Sequence, residues 1–349
     1  MIELSEECRL VFCVGVGGVG KTTLAAALGL QEALRGRSVL VLTADPARRL
    51  ADALGVQGLR DVPSNIPLPS HGSGGELHAL MLETKASADA IIRRATDDET
   101  RAQRVLDNRI YQAFSNTLAR SHAYAAIERV HETVHDPRYD LVVVDTPPAQ
   151  SSIEILDAPA RLVRFLDQRL VRWLRGGALA RRLLRMVAGE SLVTALTEFL
   201  VEMAFLREGF ADRAREVRDL MRSSSTSFVL VSSADPVGIE AAKSVAAEVE
   251  ARDFELACVM FNRAFIPDVG RRDRGPVTYP ESLAALAPKL EQMRTMLVQE
   301  EEQRRANIVA LCEELGAPGW CLPEATRPLG DPSALAAWIE RARPAGAPA

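Results

Sequence analysis

Leu10-Val11-Phe12-Cys13-Val14-Gly15-Val16-Gly17-Gly18-Val19-Gly20-Lys21-Thr22-Thr23-Leu24-Ala25 is the stretch that decides the fold. Its first five residues are an unbroken apolar run, as in a parallel strand buried on both faces. Gly15 to Thr22 then fits the pattern G-x-x-x-x-G-K-[ST]. Thr22-Thr23-Leu24-Ala25-Ala26-Ala27-Leu28 opens a helix. Strand, glycine loop and helix N-terminus in that order make a phosphate cradle. Gly15, Gly17, Gly18, Val19 and Gly20 bring backbone N–H groups to phosphate oxygens, and the helix end adds partial positive charge. Lys21 is expected to reach the β- and γ-phosphates, Thr22 to hold Mg²⁺ through its hydroxyl, and Thr23 to contact the α-phosphate.

The rest of the chain fits a sheet built outward from this loop. Its 349 residues are 47% hydrophobic and 26% charged, the balance of a soluble globular protein. A formal charge of −5 speaks against general nucleic-acid binding. The acidic start, Met1-Ile2-Glu3-Leu4-Ser5-Glu6-Glu7, does not read as a signal peptide, and no apolar run is long enough to span a bilayer. Cys8, Cys13, Cys258, Cys312 and Cys321 form no C-x-x-C pair, which predicts a reducing, cytoplasmic setting and no zinc.

Further strands are expected at Ser38–Thr43, Glu76–Glu83, Ser227–Ser232, Leu256–Arg263 and, last, Trp320–Glu324. Gly36 is a plausible cap for the first helix. Residues 61–75 read as a loop, 84–136 as helical, and 281–315 as a helical stretch interrupted by Pro288. Asp331-Pro332 should cap the final helix. His131 and His135 share a helical face but have no carboxylate cluster beside them, so a solvated face is the expectation.

Two aspartates stand at strand ends, where a doubly wound sheet presents its ligand crevice. Asp45, in Ala44-Asp45-Pro46-Ala47, can orient the attacking water or act through the Mg²⁺ shell; equally, it can cap a helix over Ala47–Leu54. Asp145 ends the Walker B-type run Tyr139-Asp140-Leu141-Val142-Val143-Val144-Asp145. It is expected near Mg²⁺, through water, and Thr146-Pro147-Pro148 is the segment that senses the γ-phosphate. Asn262 is expected to hydrogen-bond a base edge. No N-K-x-D or T-K-x-D sequence follows, which favours ATP over GTP.

Residues 157–221 are the unusual segment. Between Arg161 and Met186 there are eight arginines and one acid, Asp167. From Leu192 an apolar stripe runs through Leu196, Phe199, Met203, Leu206 and Phe210 in steps of four and three. Three readings stand: helices packed against the sheet, an apolar surface for a hydrophobic client helix, or a basic helix on a membrane.

Together the phosphate loop, Ala44-Asp45-Pro46-Ala47, Asp145-Thr146-Pro147-Pro148 and Phe261-Asn262-Arg263 resemble the ArsA/Get3 group of P-loop ATPases. That group includes the arsenite-pump ATPase and the factor that targets tail-anchored membrane proteins. Leu80-Met81-Leu82-Glu83-Thr84-Lys85 and Leu156-Asp157-Ala158-Pro159 look like its bacterial branch, and the likeness runs to about Ala342. The resemblance implies a single α/β P-loop ATPase domain over 1–349, with a mainly parallel doubly wound sheet and a helical subdomain from 84–136 and 157–221. It implies that Lys21 and Thr22 bind phosphate and Mg²⁺, and that Asp45 positions water as the first switch residue. It makes Asp145 the second switch aspartate and gives adenine to Asn262 and the segment at Pro323. It further implies an ATP/ADP cycle that gates a homodimer, or a heterodimer with a paralogue.

Three departures matter. The group carries a signature lysine at the second loop position, where this chain has Val16; Arg48 and Arg49 are candidate substitutes. No C-x-x-C follows Asn262, so a zinc-bridged dimer is not expected. The second switch continues Ala149-Gln150-Ser151-Ser152 instead of a Thr-Gly-His type of sequence. The expected function is a Mg²⁺-dependent ATPase acting on hydrophobic segments. A weakly hydrolysing scaffold that needs a partner is the alternative. An arsenite-pump role fits less well, because neither fused halves nor a cysteine metalloid site is visible.

Overall fold

In the computed structural model, residues 4–45, 47–69, 74–82, 89, 92–93, 98–112, 122–146, 190–265 and 285–347 are described. In chain order the elements begin with β1 (Leu10–Val14), α1 (Lys21–Leu34), β2 (Ser38–Thr43), α2 (Arg49–Ala53), β3 (Ser64–Ile66) and β4 (Glu76–Met81). There follow α3 (Glu99–Asp107), α4 (His122–Val134), β5 (Leu141–Asp145) and α5 (Glu190–Met221). The last third holds β6 (Thr226–Ser233), α6 (Pro236–Glu250), β7 (Leu256–Phe265), α7 (Ala287–Leu315), β8 (Gly319–Pro323), α8 (Pro332–Ile339) and β9 (Arg343–Pro344).

The strands form one sheet in the order β3-β4-β2-β5-β1-β6-β7-β8-β9. All neighbours from β4 to β8 run parallel; the short edge strands β3 and β9 are antiparallel. This is the α/β, mainly parallel doubly wound architecture expected of a P-loop protein. The chain first builds one side of β1 and then crosses to the other. The C-terminal end of β1 is therefore the switch point, where such sheets leave a crevice for a ligand.

Burial explains why these runs became strands. Every residue of β1 and β5 is buried, as parallel strands covered on both faces require. One face packs Phe12, Phe228 and Phe254 into an aromatic stack, with centroids 5.2 and 4.8 Å apart. The other face receives α1, whose Leu24, Ala25, Leu28 and neighbours are buried. Gly29 sets how near that helix comes, because a Cβ there would lie 2.4 Å from Val41 Cγ2. Beyond the helix, Gly36 has φ +102° and donates its N–H to Ala33, the expected left-handed stop.

Several boundaries differ from the sequence reading. The loop at 61–75 contains β3, whose three residues pair with β4. The first switch helix begins at Arg49 rather than Ala47. Asn262 is not the tip of its strand, since β7 runs on to Phe265. Pro288 does not interrupt a helix; it sits in the first turn of α7, where its missing N–H costs nothing. The final strand is β9, not the one near Trp320. Asp331 does cap α8, accepting the Ala334 N–H at 2.8 Å.

The helical part is described only in pieces. Arg101 and Arg104 on α3 both reach Glu202 on α5, at 3.2 and 3.0 Å, and Asn108 Nδ2 donates to the Ala195 carbonyl at 2.9 Å. On α4, His131 Nε2 lies 2.7 Å from Glu216 Oε2 of α5, and the His131 and His135 rings stand 4.5 Å apart. Within α5, Val193 and Phe199 are buried. The arginine-rich run and the residues from Pro147 to Gly189 lie outside the described residues, as do 266–284. No helix among the described residues is long and apolar enough to cross a membrane. From Ala287 to Asn307, α7 buries no residue, and Leu286, Leu290, Met293, Met296 and Leu297 are exposed along it.

The aromatic stack makes a stability prediction. Phe228→Ala should cost roughly 3–5 kcal/mol, since it empties the middle of three stacked rings. Urea unfolding of the nucleotide-free chain would show it. A loss under about 1 kcal/mol, the range of surface substitutions, would mean the stack is not a core element.

Candidate nucleotide site

Two glycines shape the loop between β1 and α1. At Gly15 φ is +154°, and a Cβ would lie 2.3 Å from the Val231 carbonyl oxygen. At Gly20 φ is +96°, and a Cβ would meet Asn262 Nδ2 at 2.2 Å. Gly20 is also the N-cap of α1, and no acidic side chain stands in that helix's first turn. The positive end of the helix thus faces the crevice without an internal counter-charge.

Lys21 lies almost out of solvent and folds back over the loop, donating from Nζ to the Val16 carbonyl at 2.9 Å. Burial lowers its pKa, and the nearby Asp145 carboxylate works against that shift. Asp145, at the end of β5, has no solvent exposure. Burial pushes its pKa up to about 6, although the hydroxyls of Thr43 and Thr22 and the Lys21 charge pull it back. Thr43 Oγ1 donates to Asp145 Oδ2 at 2.8 Å. The other oxygen, Oδ1, is buried with no hydrogen-bond partner. A buried carboxylate oxygen left open is costly unless a cation or a metal-held water meets it.

Asp45 follows β2 by two residues. Its Oδ1 accepts the Ala47 N–H at 2.9 Å, its own N–H donates to Thr43 Oγ1 at 3.1 Å, and Oδ2 lies 3.6 Å from Arg49. It therefore braces the turn into α2 but is not that helix's N-cap, which is Arg48. Asp45 organises the turn and lines the crevice; the N-cap expected of it is Arg48 instead.

That crevice holds about 580 Å³ and is lined by Gly18, Gly20, Lys21, Thr22, Thr23, Asp45, Arg49 and Thr146 on one side. Ala325, Arg327, Pro328, Leu329 and Gly330 line the other. The structure thus brings Lys21, Thr22, Thr23 and Asp45 together at one cleft, with Asp145 beneath it. Pro323 is inside β8 and its carbonyl accepts the Trp338 indole N–H at 2.9 Å; the residues after it form the wall. Asn262 stands across the loop, donating from Nδ2 to the Val19 carbonyl at 2.9 Å. It lines a second cavity of about 460 Å³ with Val16, Gly17, Gly18, Val19 and Arg263. Arg263 has φ +53°, and the β7–β8 register breaks between Phe261 and Phe265, so the strand bulges beside the loop.

The sequence reading missed Thr43, Arg327 and Leu329. Thr43 closes the apolar run Val39–Leu42 two residues before Asp45, but a polar residue at a strand end does not by itself mark a site. Arg327 and Leu329 carry no local signal, because only the fold carries the β8–α8 loop over α1.

The donor set fits a hard cation. Thr22 and Asp145 offer oxygen, and no three His, Cys, Asp or Glu come together among the described residues. Mg²⁺ bound with phosphates needs only one or two protein oxygens and keeps its waters.

Residues 8–276, well over half of the chain, match the family model described as anion-transporting ATPase. The chain belongs to this family. It is a P-loop ATPase of the ArsA/Get3 type. Among its relatives, the ATPase get3 of Aspergillus terreus is 24% identical over 322 residues, 89% of this chain and 91% of that protein. The ATPase GET3 of Paracoccidioides lutzii is 24% identical over 264 residues, covering 74% of each. An uncharacterized protein of Streptomyces coelicolor is 27% identical over 273 residues, 74% of this chain and 63% of its own length.

The burial of Asp145 in this ATPase makes a pH prediction. Its folded pKa lies above the ordinary carboxylate value of 3.8. Its contribution to stability is therefore full below pH 3.8 and is lost as pH rises through about 6. At pH 7 the charged form costs roughly 3 kcal/mol. Asp145→Asn, measured without nucleotide or Mg²⁺, should raise the unfolding midpoint at pH 7, and the gain should vanish towards pH 4. An equal gain at both pH values would refute this account.

Proposed function

We propose that this chain hydrolyses ATP with Mg²⁺, and that the nucleotide cycle opens and closes a dimer. The single domain 1–349 carries a helical subdomain, 84–136 and 157–221, whose surface is remodelled by that cycle and receives hydrophobic protein segments. The observation that carries the reading is the convergence of Lys21, Thr22 and Asp45 on one cleft, with the open oxygen of Asp145 beneath it. In this reading the Lys21 ammonium leaves the Val16 carbonyl and neutralises charge between the β- and γ-phosphates. Thr22 and Asp145 would hold Mg²⁺ through their side-chain oxygens. Bound there, the ion would offset the negative charge that builds on the transferring phosphoryl group. Asp45 accepts a hydrogen bond from the attacking water and aims it in line. Gly15, Gly17, Gly18, Val19, Gly20 and Thr23 supply the rest of the cradle. Asn262 and the segment from Pro323 onward take the adenine.

The names of the Aspergillus and Paracoccidioides relatives support the Get3-like reading. Phe199 of the stripe on α5 is buried beside Val193, while the side chains of Leu192, Met203, Leu206 and Phe210 lie outside the described ones. A second reading has its own observation. Val16 stands where a cation is expected, and Asp45 is engaged by Arg49. On that reading the chain binds nucleotide, hydrolyses little, and needs a second copy, a paralogue or another protein to complete its site.

Steady-state ATP hydrolysis with Mg²⁺, run beside Lys21→Ala and Asp45→Asn while dimer mass is followed, separates the two. Turnover falling at least about 100-fold in both variants, with nucleotide-dependent dimer mass, is the expected outcome. Tight ATP binding with no turnover in the parent chain would overturn the self-sufficient ATPase and favour the scaffold.

A further inference from the structure

Thr43 is the last residue of β2, and its direct neighbour across the sheet is Asp145 at the end of β5. It is buried, with 1% exposure. Its hydroxyl is used twice. The proton goes to Asp145 Oδ2 at 2.8 Å, and a lone pair takes the backbone N–H of Asp45 at 3.1 Å. The direction is set by chemistry. An ionised carboxylate can only accept and a backbone N–H can only donate, so the hydroxyl has one arrangement open to it. Asp45 and Asp145 are 100 residues apart in the chain and share this one hydroxyl. The backbone ladder adds a weaker tie, Ala44 N–H to the Asp145 carbonyl at 3.4 Å.

The geometry points to Thr43 as a positioning residue that couples the two carboxylates. It rests on the reading of Asp45 and Asp145 as the pair that answers to bound nucleotide. A ligand that draws on the open Oδ1 of Asp145 turns or shifts that carboxylate. Oδ2 moves with it, and the Thr43 hydroxyl must follow or let go. Either way the Asp45 amide feels the change, although Asp45 touches the ligand from another side of the cleft. Asp45 is held at its other end by the Ala47 N–H and by Arg49. The Thr43 bond is thus the hinge side of the turn and the Arg49 pair its outer side. A Val at this position would fill the same space and keep the strand, but it would make neither bond. The need for a hydroxyl, rather than for bulk, is what separates positioning from packing.

The test compares Thr43→Val with Thr43→Ser, each against the parent chain and Lys21→Ala. In turnover, Thr43→Val should lower kcat by about tenfold or more while KM for Mg·ATP stays within about threefold, since a charge-assisted bond is lost without touching the nucleotide. Thr43→Ser, which keeps the hydroxyl, should stay within about threefold of the parent. A second readout needs no turnover. Amide hydrogen exchange at Asp45 in the nucleotide-free chain should quicken by about tenfold in Thr43→Val and not in Thr43→Ser. Mg·ADP should slow that exchange in the parent and in Thr43→Ser, but not in Thr43→Val.

Unchanged exchange at Asp45 in Thr43→Val would overturn the coupling. So would a Ser variant as impaired as the Val variant, or a loss that lies wholly in KM. If the parent turns over no faster than Lys21→Ala, the hydrolytic reading fails by itself, and the exchange data still decide the role of Thr43.

Discussion

A carboxylate and an ammonium, both almost out of solvent, sit within electrostatic reach of each other at the centre of this fold. Neither charge is easy to keep there. Burial pushes Asp145 towards its neutral form and Lys21 towards its own, and only their mutual attraction and a few hydroxyls hold them charged. The arrangement costs stability in the empty protein, and a bound phosphate and cation would offset that cost. It also explains why the surroundings are so tightly specified. Gly15 and Gly20 bring the loop close, every residue of β1 and β5 is buried, and Asp145 keeps one oxygen, Oδ1, buried without a hydrogen-bond partner. A site that stores charge in this way is poised to respond to charge.

Much of this frame was legible in the sequence, for a plain reason. Buried parallel strands must be apolar along their whole length, so Leu10–Val14 and Leu141–Val144 announce themselves, and the glycine loop between strand and helix admits few other meanings. Short edge strands carry no such signature. Ser64–Ile66 borrows its conformation from β4, and Arg343–Pro344 from β8, so pairing rather than propensity makes them strands. Pro288 misled because a proline ends one helix and begins another equally well; only its place relative to Ala287 decides. In the site, residues that act through their type, such as Lys21 and Asp145, were readable. Thr43 was not, because its importance lies in register: it matters only once β2 and β5 lie side by side.

The two sides of the phosphate loop are chemically unlike. On the side of β2 and β5 stand carboxylates and hydroxyls, suited to a cation and to water. On the side of β6 and β7 the Asn262 amide is tied to the loop itself, linking the loop to β7 beside its bulge at Arg263. The fold thus keeps metal-type chemistry and loop support apart, with Gly18 bordering both cavities. The helix α4 packs on β5, and α5 joins it through the His131–Glu216 contact and joins α3 through the ion pairs on Glu202.

The long helix α7 differs in character from the other described helices. Its C-terminal end is anchored by Ile308 and Leu311, while the preceding turns carry no buried residue. Over roughly 30 Å the helix buries no residue, and ion pairs such as Arg294–Glu291 and Arg304–Glu300 lie along its own surface. Such a stretch lacks the tertiary packing from which most helical stability in proteins comes. Its amides therefore form a natural ruler of local stability. Opening should be nearly free at the Pro288 end and should approach the cost of global unfolding at Leu311. A single rod then reports, residue by residue, the gradient from solvent-like to core-like behaviour.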